Sequence, residues 1–338
     1  MKLYSTIAVL CCGVVLPTVL SGASAAPTAE ATPGLTLEDL WEYTPTTKDL
    51  IHVWRVYRRQ RLASKLHEQL RLYFVCPKAW QRSDSRPAIV FVHGGGWSNG
   101  TADQWFPQCR YFALRGMVAV SVQYRLRSKR ADVNGCLADC KSAIRYLRGH
   151  AKELGVDPQR IAVLGESAGG HLVAALGTID GFDHPEDDLF ISALPDALIL
   201  LNPITDLTTK WSRSFGDKAM ALSPLHHVSR KTPPTLLLHG DRDNGVDISK
   251  HSRAFRDKMK TLGRPSKLVV LEGAGHAFGV FQYGPDRYVK RAILEIDEYL
   301  TDRGWLSGVP LRFKDDRPIE STAREGKRND GALASAGG

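Results

Sequence analysis

No apolar run in this 338-residue chain reaches the roughly 20 residues that a membrane-spanning helix requires. The longest covers the 14 residues from Ile7 to Leu20, contains Pro17, follows Lys2 and leads into the small residues Ala23, Ser24 and Ala25. That pattern suits a cleavable signal peptide over residues 1–25 better than a retained anchor. Export, secreted or periplasmic, is therefore expected, with no stable membrane insertion after cleavage. Cysteine is sparse, with six in all, and Cys11 and Cys12 lie in the leader without the small residue that a lipoprotein motif places before its cysteine. The other four are Cys76, Cys109, Cys136 and Cys140, an even number in a compartment that permits disulfides. Cys136 and Cys140 stand one helical turn apart, which leaves both a bridge and a pair of buried thiols open. No histidine pair lies near them at a metal-ligand interval, so no metal site is expected. The sequence also has no internal repeat.

Acidic residues are the minority, 36 against 45 Lys and Arg, for a formal charge of +9. The densest basic group, Arg55, Arg58, Arg59 and Arg61, punctuates a strand-like stretch, and a solvated sheet edge accounts for it. Nothing else supports nucleic-acid binding, although the surplus charge favours contact with acidic glycans or cell-wall polymers.

What is abundant is strand-length apolar sequence. "LRLYFVCP", "AIVFVHGGG", "MVAVSVQY", "IAVLGES", "ALILLNP", "TLLLHGD" and "KLVVLEGAGH" follow one another, the inner ones nearly free of polar residues, as buried parallel strands are. Helical periodicity lies between several of them, in "CLADCKSAIRYLRGHAKELG" and in "DISKHSRAFRDKMKTLG", which Gly263 closes as a C-cap. Alternation of the two predicts an α/β domain with a mostly parallel sheet covered by helices on both faces. The expected organisation is a flexible lead with a short helix over 26–49, the α/β domain over 50–307, and a disordered tail over 308–338 with few apolar anchors.

Chemistry concentrates in four places. "IAVLGESAGGHL" sets Ser167 in a Gly-x-Ser-x-Gly sequence between a strand and a helix, the context of a nucleophile raised on a strained turn. "LEGAGHAFG" places His276 just past the last strong strand, and "TLLLHGDRDNGVD" ends the strand before it with Asp241 and Asp243. Serine, acid and histidine thus follow the chain order found in α/β-hydrolases, which differs from the orders of trypsin-like and subtilisin-like enzymes. Upstream, "IVFVHGGGW" supplies a glycine loop whose amides are free of Cβ atoms and can face a developing oxyanion.

These segments, with "SVQYRL" at 121–126 and "GVDPQRIAVLGESAGGHL" at 155–172, resemble the bacterial α/β-hydrolase esterases. That group spans hormone-sensitive-lipase-like carboxylesterases and the exported acetyl-xylan and feruloyl (BD-FAE-like) esterases, and the likeness runs over about residues 50–305 in the same order. It implies the α/β-hydrolase fold with a small cap, Ser167 as nucleophile, Asp243 as triad acid and His276 as base. It also implies an oxyanion hole from the amides of Gly95, Gly96 and Ala168, and no cofactor. The spacing of the family's acid, three residues past the Gly of His-Gly and three before a Val, picks Asp243 over Asp241. Glu166 departs from the Asp commoner at its position in the lipase-like branch, which leaves the subfamily open.

His93, His171 and His239 are expected to be architectural, as is Asp139, which precedes the serine. Trp97, Trp211 and Phe215 are candidates for walling an acyl or sugar site, or equally for the core. With only a short lead and a short insertion near 203–233 to form a cap, the expected substrate is a short acyl ester, acetyl or feruloyl, on a polysaccharide such as xylan. A general carboxylesterase or lipase is the alternative, followed by an arylformamidase or peptidase, and last by a non-catalytic binding module. The sequence does not indicate an oligomeric state.

Overall fold

The computed structural model describes residues 50–61, 67–128, 132–311 and 313, with the backbone alone over 50–61 and 67–69. The expected signal peptide, the lead over 26–49 and the tail from 314 onward lie outside the described residues. Among the described residues, no helix is long and apolar enough to cross a membrane.

Among the described residues, eight strands form one sheet: β1 (Leu50–Arg61), β2 (His67–Pro77), β3 (Arg86–Val92), β4 (Val118–Val122), β5 (Val156–Glu166), β6 (Ala197–Leu201), β7 (Thr235–Gly240) and β8 (Ser266–Leu271), in the spatial order β1-β2-β4-β3-β5-β6-β7-β8. The β1/β2 and β2/β4 pairs are antiparallel. From β4 across to β8 every pair is parallel. All six of those strands therefore end at one rim, which gathers the loops after β3, β5, β7 and β8. The arginine-rich stretch is β1, at the outer edge of the sheet.

Alternation along the parallel strands supplies two cores at once. In β3, Ala88, Val90 and Val92 face one side while Ile89 and Phe91 face the other. The first side is covered by α2 (Val133–Gly149), α3 (Ala168–Thr178) and α4 (Ala254–Thr261), the second by α1 (Phe106–Leu114) and α5 (Asp286–Asp302). Burial on both faces is why these strands read as unbroken apolar runs. Gly263 closes α4 as expected: its φ is +65° and its amide reaches the carbonyl of Lys260 at 3.0 Å. The cap segment between β6 and β7 holds only one helical turn, Ser212–Phe215, and short 3-10 turns.

All four described cysteines are free, buried thiols. Burial pushes Cys76 and Cys136 up to about 12. They are small apolar fillers of the core rather than a reactive pair.

The chain past Trp305 departs from the expectation of an unanchored tail. Leu311 and Phe313 are buried with α1 and α5, and Phe313 stacks on Tyr111 with ring centres 6.0 Å apart. Two apolar residues among charged neighbours are too few to announce a packed segment, but they suffice where a groove already exists.

One buried ion pair ties the helices of this face together. Arg115, at the end of α1, donates to both carboxylate oxygens of Asp297 on α5, at 2.6 and 3.0 Å, and neither side chain is exposed. Tyr111 donates to the same carboxylate at 2.8 Å, and Arg115 also reaches the Ser307 carbonyl at 2.9 Å. Asp297→Ala strands the guanidinium in the core and is expected to cost about 3–5 kcal/mol of unfolding free energy, read from urea melts. Replacing both partners by leucine or methionine should recover most of that loss, because the charge no longer needs a partner.

Candidate active site

The glycines around Ser167 are needed because three backbones converge there. Ser167 has φ +57° and ψ −119°, and its amide is held by the Leu201 carbonyl of β6 at 2.9 Å. A Cβ on Gly169 would lie 2.2 Å from the Val92 carbonyl of β3, and one on Gly165 would lie 2.4 Å from the Gly169 carbonyl. No side chain fits at either place, so α3 can leave β5 this tightly only through glycine. The turn lifts the Ser167 hydroxyl to the rim and puts Ala168 in the first turn of α3, where an amide has no acceptor within its helix.

His276 comes from the loop after β8. Its Nε2 lies 2.8 Å from Ser167 Oγ, and its Nδ1 lies 2.7 Å from Asp243 Oδ2, in the loop after β7. The imidazole is 32% exposed while the Asp243 side chain is 1% exposed, so the imidazole reaches solvent and its partner is shielded. The other carboxylate oxygen of Asp243 accepts the amides of Gly245 and Val246 at 2.7 and 2.8 Å. Burial opposes the charge on Asp243. Hydrogen bonds from His239, His276 and the Val246 amide, with the charge of His276, nevertheless hold its pKa well below the usual carboxylate range. Burial likewise disfavours imidazolium at His276, and the hydrogen bond and charge of Asp243, aided by Glu166, overcome it and raise the His276 pKa.

Asp241 is elsewhere occupied: it accepts the Gly273 amide at 2.7 Å, fastening the β7 loop to the β8 loop. His239 lies beneath the site, its Nε2 2.9 Å from the Val246 carbonyl and 3.4 Å from Asp243 Oδ2, so it supports the acid from below. Asp139 is engaged bidentately by Arg125, at 2.7 Å for each oxygen, which pins α2 to the chain leaving β4.

The glycine loop after β3 passes over the nucleophile. A Cβ on Gly94 would stand 3.5 Å from Ser167 Cβ. Gly95 and Gly96 have φ of +103° and +61°, and the Gly95 carbonyl accepts the Asn99 amide at 2.9 Å, closing the loop on itself. Tyr124 donates to the His93 carbonyl at 2.8 Å and stacks on the His93 ring, whose burial lowers its pKa to about 4. His93 is thus a neutral prop for the loop.

Of the three aromatic candidates, two are core. Trp97 and Phe215 are 3% and 8% exposed and meet edge to face at 5.2 Å, so they present almost no surface to a substrate. Trp97 instead donates to His171 Nδ1 at 3.2 Å, which leaves the hydrogen of His171 on Nε2, where it meets the Leu222 carbonyl at 2.8 Å. Burial pushes His171 down to about 4 and keeps the ring neutral, so it joins α3 to the cap segment. Trp211 alone lines a cleft, of about 430 Å³, with Asp241, Asp243, Asn244, Asp247 and Lys210.

Comparison with known proteins follows the same lines. The BD-FAE family model matches residues 74–259. "Probable carboxylic ester hydrolase LipM" of Mycobacterium tuberculosis is 29% identical over 252 residues, 66% of this chain and 57% of that protein. An acetylxylan esterase of Xylanibacter ruminicola is 24% identical over 68% of this chain and 47% of its own length. The chain thus spans about half the length of the curated relatives it matches. Thermogutta terrifontis esterase 2, phosphoramylated by tabun in one crystal structure, superposes with a TM-score of 0.71 at 40% identity, covering 76% of this chain and 96% of the other. With more than half of its length matched by the family model and a 40% identical neighbour covered almost end to end, the chain belongs to the BD-FAE family and shares the α/β-hydrolase fold of its esterase neighbours.

Proposed function

We propose that the protein is a carboxylic ester hydrolase that works through an acyl-enzyme on Ser167. The observation that carries this reading is the unbroken hydrogen-bond chain from the buried Asp243 carboxylate through His276 to the Ser167 hydroxyl. Ser167 Oγ bonds to the ester carbonyl carbon while its proton passes to His276 Nε2. Asp243 fixes the imidazole with its hydrogen on Nδ1 and stabilises the imidazolium. The amides of Gly95, Gly96 and Ala168 are the donors for the oxyanion, each worth about 3–4 kcal/mol in such sites. As the tetrahedral species collapses, the bond to the alcohol breaks and His276 returns the proton to the departing oxygen. A water, activated by the same imidazole, then releases the acid and restores the hydroxyl. The steps assign no role to a metal or organic cofactor.

For the substrate we propose short acyl esters, acetyl or feruloyl in type, carried on a polysaccharide such as xylan, and met after export. Support comes from the small cap, from the leader-like first 25 residues of the sequence, and from a relative described as an acetylxylan esterase. Structures of Thermogutta terrifontis esterase 2 with propionate and butyrate bound point the same way on acyl length. A fluorophosphonate probe is expected to label the wild type and to leave Ser167→Ala unlabelled. A folded wild type that resists labelling would favour a binding module instead. On a substrate panel, release of acetate from acetylated xylan should accompany fast cleavage of two- to four-carbon synthetic esters. Failure on xylan together with preference for long chains would move the protein to the lipase-like branch.

The pH dependence follows from the raised pKa of His276. Catalysis needs neutral imidazole, so kcat/KM should fall as pH drops, with a midpoint above the ordinary imidazole value of about 6.5. Asp243→Asn removes the main cause of that elevation and disfavours the working tautomer. It should cost about four orders of magnitude in kcat. Asp241→Asn, which alters only a loop fastening, should cost less than tenfold, and a reversal of the two effects would reassign the acid.

A further inference from the structure

The turn that carries His276 is held by two buried side chains that the acyl-enzyme steps leave unused. Ala277, the next residue, has φ +58°, a left-handed conformation that a non-glycine residue adopts only when its surroundings compel it. Two residues further on, the Gly279 peptide is gripped from both sides. Its N–H donates to Glu166 Oε1 at 2.9 Å, and its carbonyl accepts from Gln108 Nε2 at 2.6 Å. Glu166 and Gln108 are each 2% exposed. Glu166 ends β5 immediately before the nucleophile, and Gln108 lies on α1, one of the helices covering the second face of the sheet. A Cβ on residue 279 would lie 2.3 Å from Leu201 Cδ2 and 3.2 Å from Glu166 Oε1, so glycine is what allows the carboxyl to come this close.

We propose that Glu166 and Gln108 are positioning residues for His276: together they clamp the Gly279 peptide and fix the strained turn bearing the imidazole, and Glu166 adds a second negative charge that, beside Asp243, stabilises the imidazolium. The inference rests on the acyl-enzyme reading. The charged groups acting on this carboxyl are His276, from the loop after β8, which favours its ionisation, and Asp243, from the loop after β7, which opposes it. Those acting on His276 are Asp243 and Glu166, which favour the imidazolium, and Lys210 of the cap segment, which opposes it. Burial raises the Glu166 carboxyl against the pull of the Gly279 amide and His276 and leaves it at about 7, so the group gains its charge as the pH rises through neutrality. Asp243 and Glu166 thus contribute differently: Asp243 bonds directly to the imidazole, while Glu166 acts through space and through the Gly279 peptide.

Three variants separate the clamp from the charge. Glu166→Gln keeps a carbonyl oxygen for the Gly279 amide and removes the charge. Glu166→Asp keeps the charge on a stem one methylene shorter and withdraws it from Gly279. Gln108→Leu keeps the volume and removes the donor. Each is measured for kcat, KM and the pH profile of kcat/KM on a short synthetic ester, for the rate of fluorophosphonate labelling, and for melting temperature. Glu166→Gln should move the acid limb of kcat/KM down by about half a unit to one unit, with KM unchanged. Glu166→Asp and Gln108→Leu should lose about tenfold in kcat with KM and the acid limb unchanged, as the loss of one buried hydrogen bond implies. The proposal is overturned if Glu166→Gln titrates with the wild type, or if either of the other two keeps wild-type kcat, even where the melting temperature falls. A wild type that the probe does not label would instead sink the esterase reading itself, and the two failures are therefore distinguishable.

Discussion

The close passage of three backbones at the end of β5 is the constraint on which the rest of the site depends. Gly165, Gly169 and the Val92 carbonyl approach so nearly that no Cβ fits at the two glycines. Ser167, between those glycines, takes up a positive φ that a serine reaches only under tertiary constraint. This arrangement does three things at once. It raises the hydroxyl to the rim, starts α3 at Ala168 so that this amide has no acceptor within its helix, and brings the β3 glycine loop beside Ser167. Larger residues at these positions would widen the turn and move the Ser167 hydroxyl away from the His276 imidazole.

Because that cause is steric and absolute, it left its mark on the sequence. Glycines at fixed offsets around a serine, a glycine loop after an earlier strand, and Asp and His at later strand ends have few alternative explanations, and the distances among Ser167, His276 and Asp243 agree with what the spacing implied. The choice between Asp241 and Asp243 was harder from sequence, since both stand on one turn. It is decided in space by which carboxylate the Gly273 amide already occupies. Residue identity says much less about direction. Trp97 and Phe215 were as compatible with a cleft wall as with a core, and only the contacts of His171 and the cap show that they face inward. The anchoring of Leu311 and Phe313 was illegible for a related reason: the groove that receives them is made by α1 and α5, far away along the chain.

Electrostatics in the site are arranged by depth. The Asp243 carboxylate is almost fully shielded and holds its charge because two backbone amides and two histidines point hydrogens or positive character at it. An unpaired carboxylate at that depth would take up a proton, and a protonated acid gives His276 no reason to stay oriented. His276 is the exposed member of the pair, which allows proton exchange with substrate and water while its partner stays dry. The remaining histidines nearby are kept out of this chemistry by the opposite device. In both His93 and His171 desolvation is the largest influence, outweighing the Asp103 charge near His93, and it lowers each ring to about 4, so both are neutral near pH 7.

That neutrality matters for the cap. A charged His171 would have no acceptor for a hydrogen on Nδ1, because the Trp97 indole N–H already points there. Held as the Nε2–H tautomer, the ring links one donor to one acceptor, from Trp97 behind the glycine loop to the Leu222 carbonyl in the cap. Arg127 reinforces the same junction by donating to the Ser214 carbonyl at 2.9 Å while covering the face of Phe215. The cap segment is therefore tied to the helix that follows Ser167 and to the glycine loop after β3, and cannot drift without disturbing both. A short cap fixed in this way moves as one body with the two elements it joins.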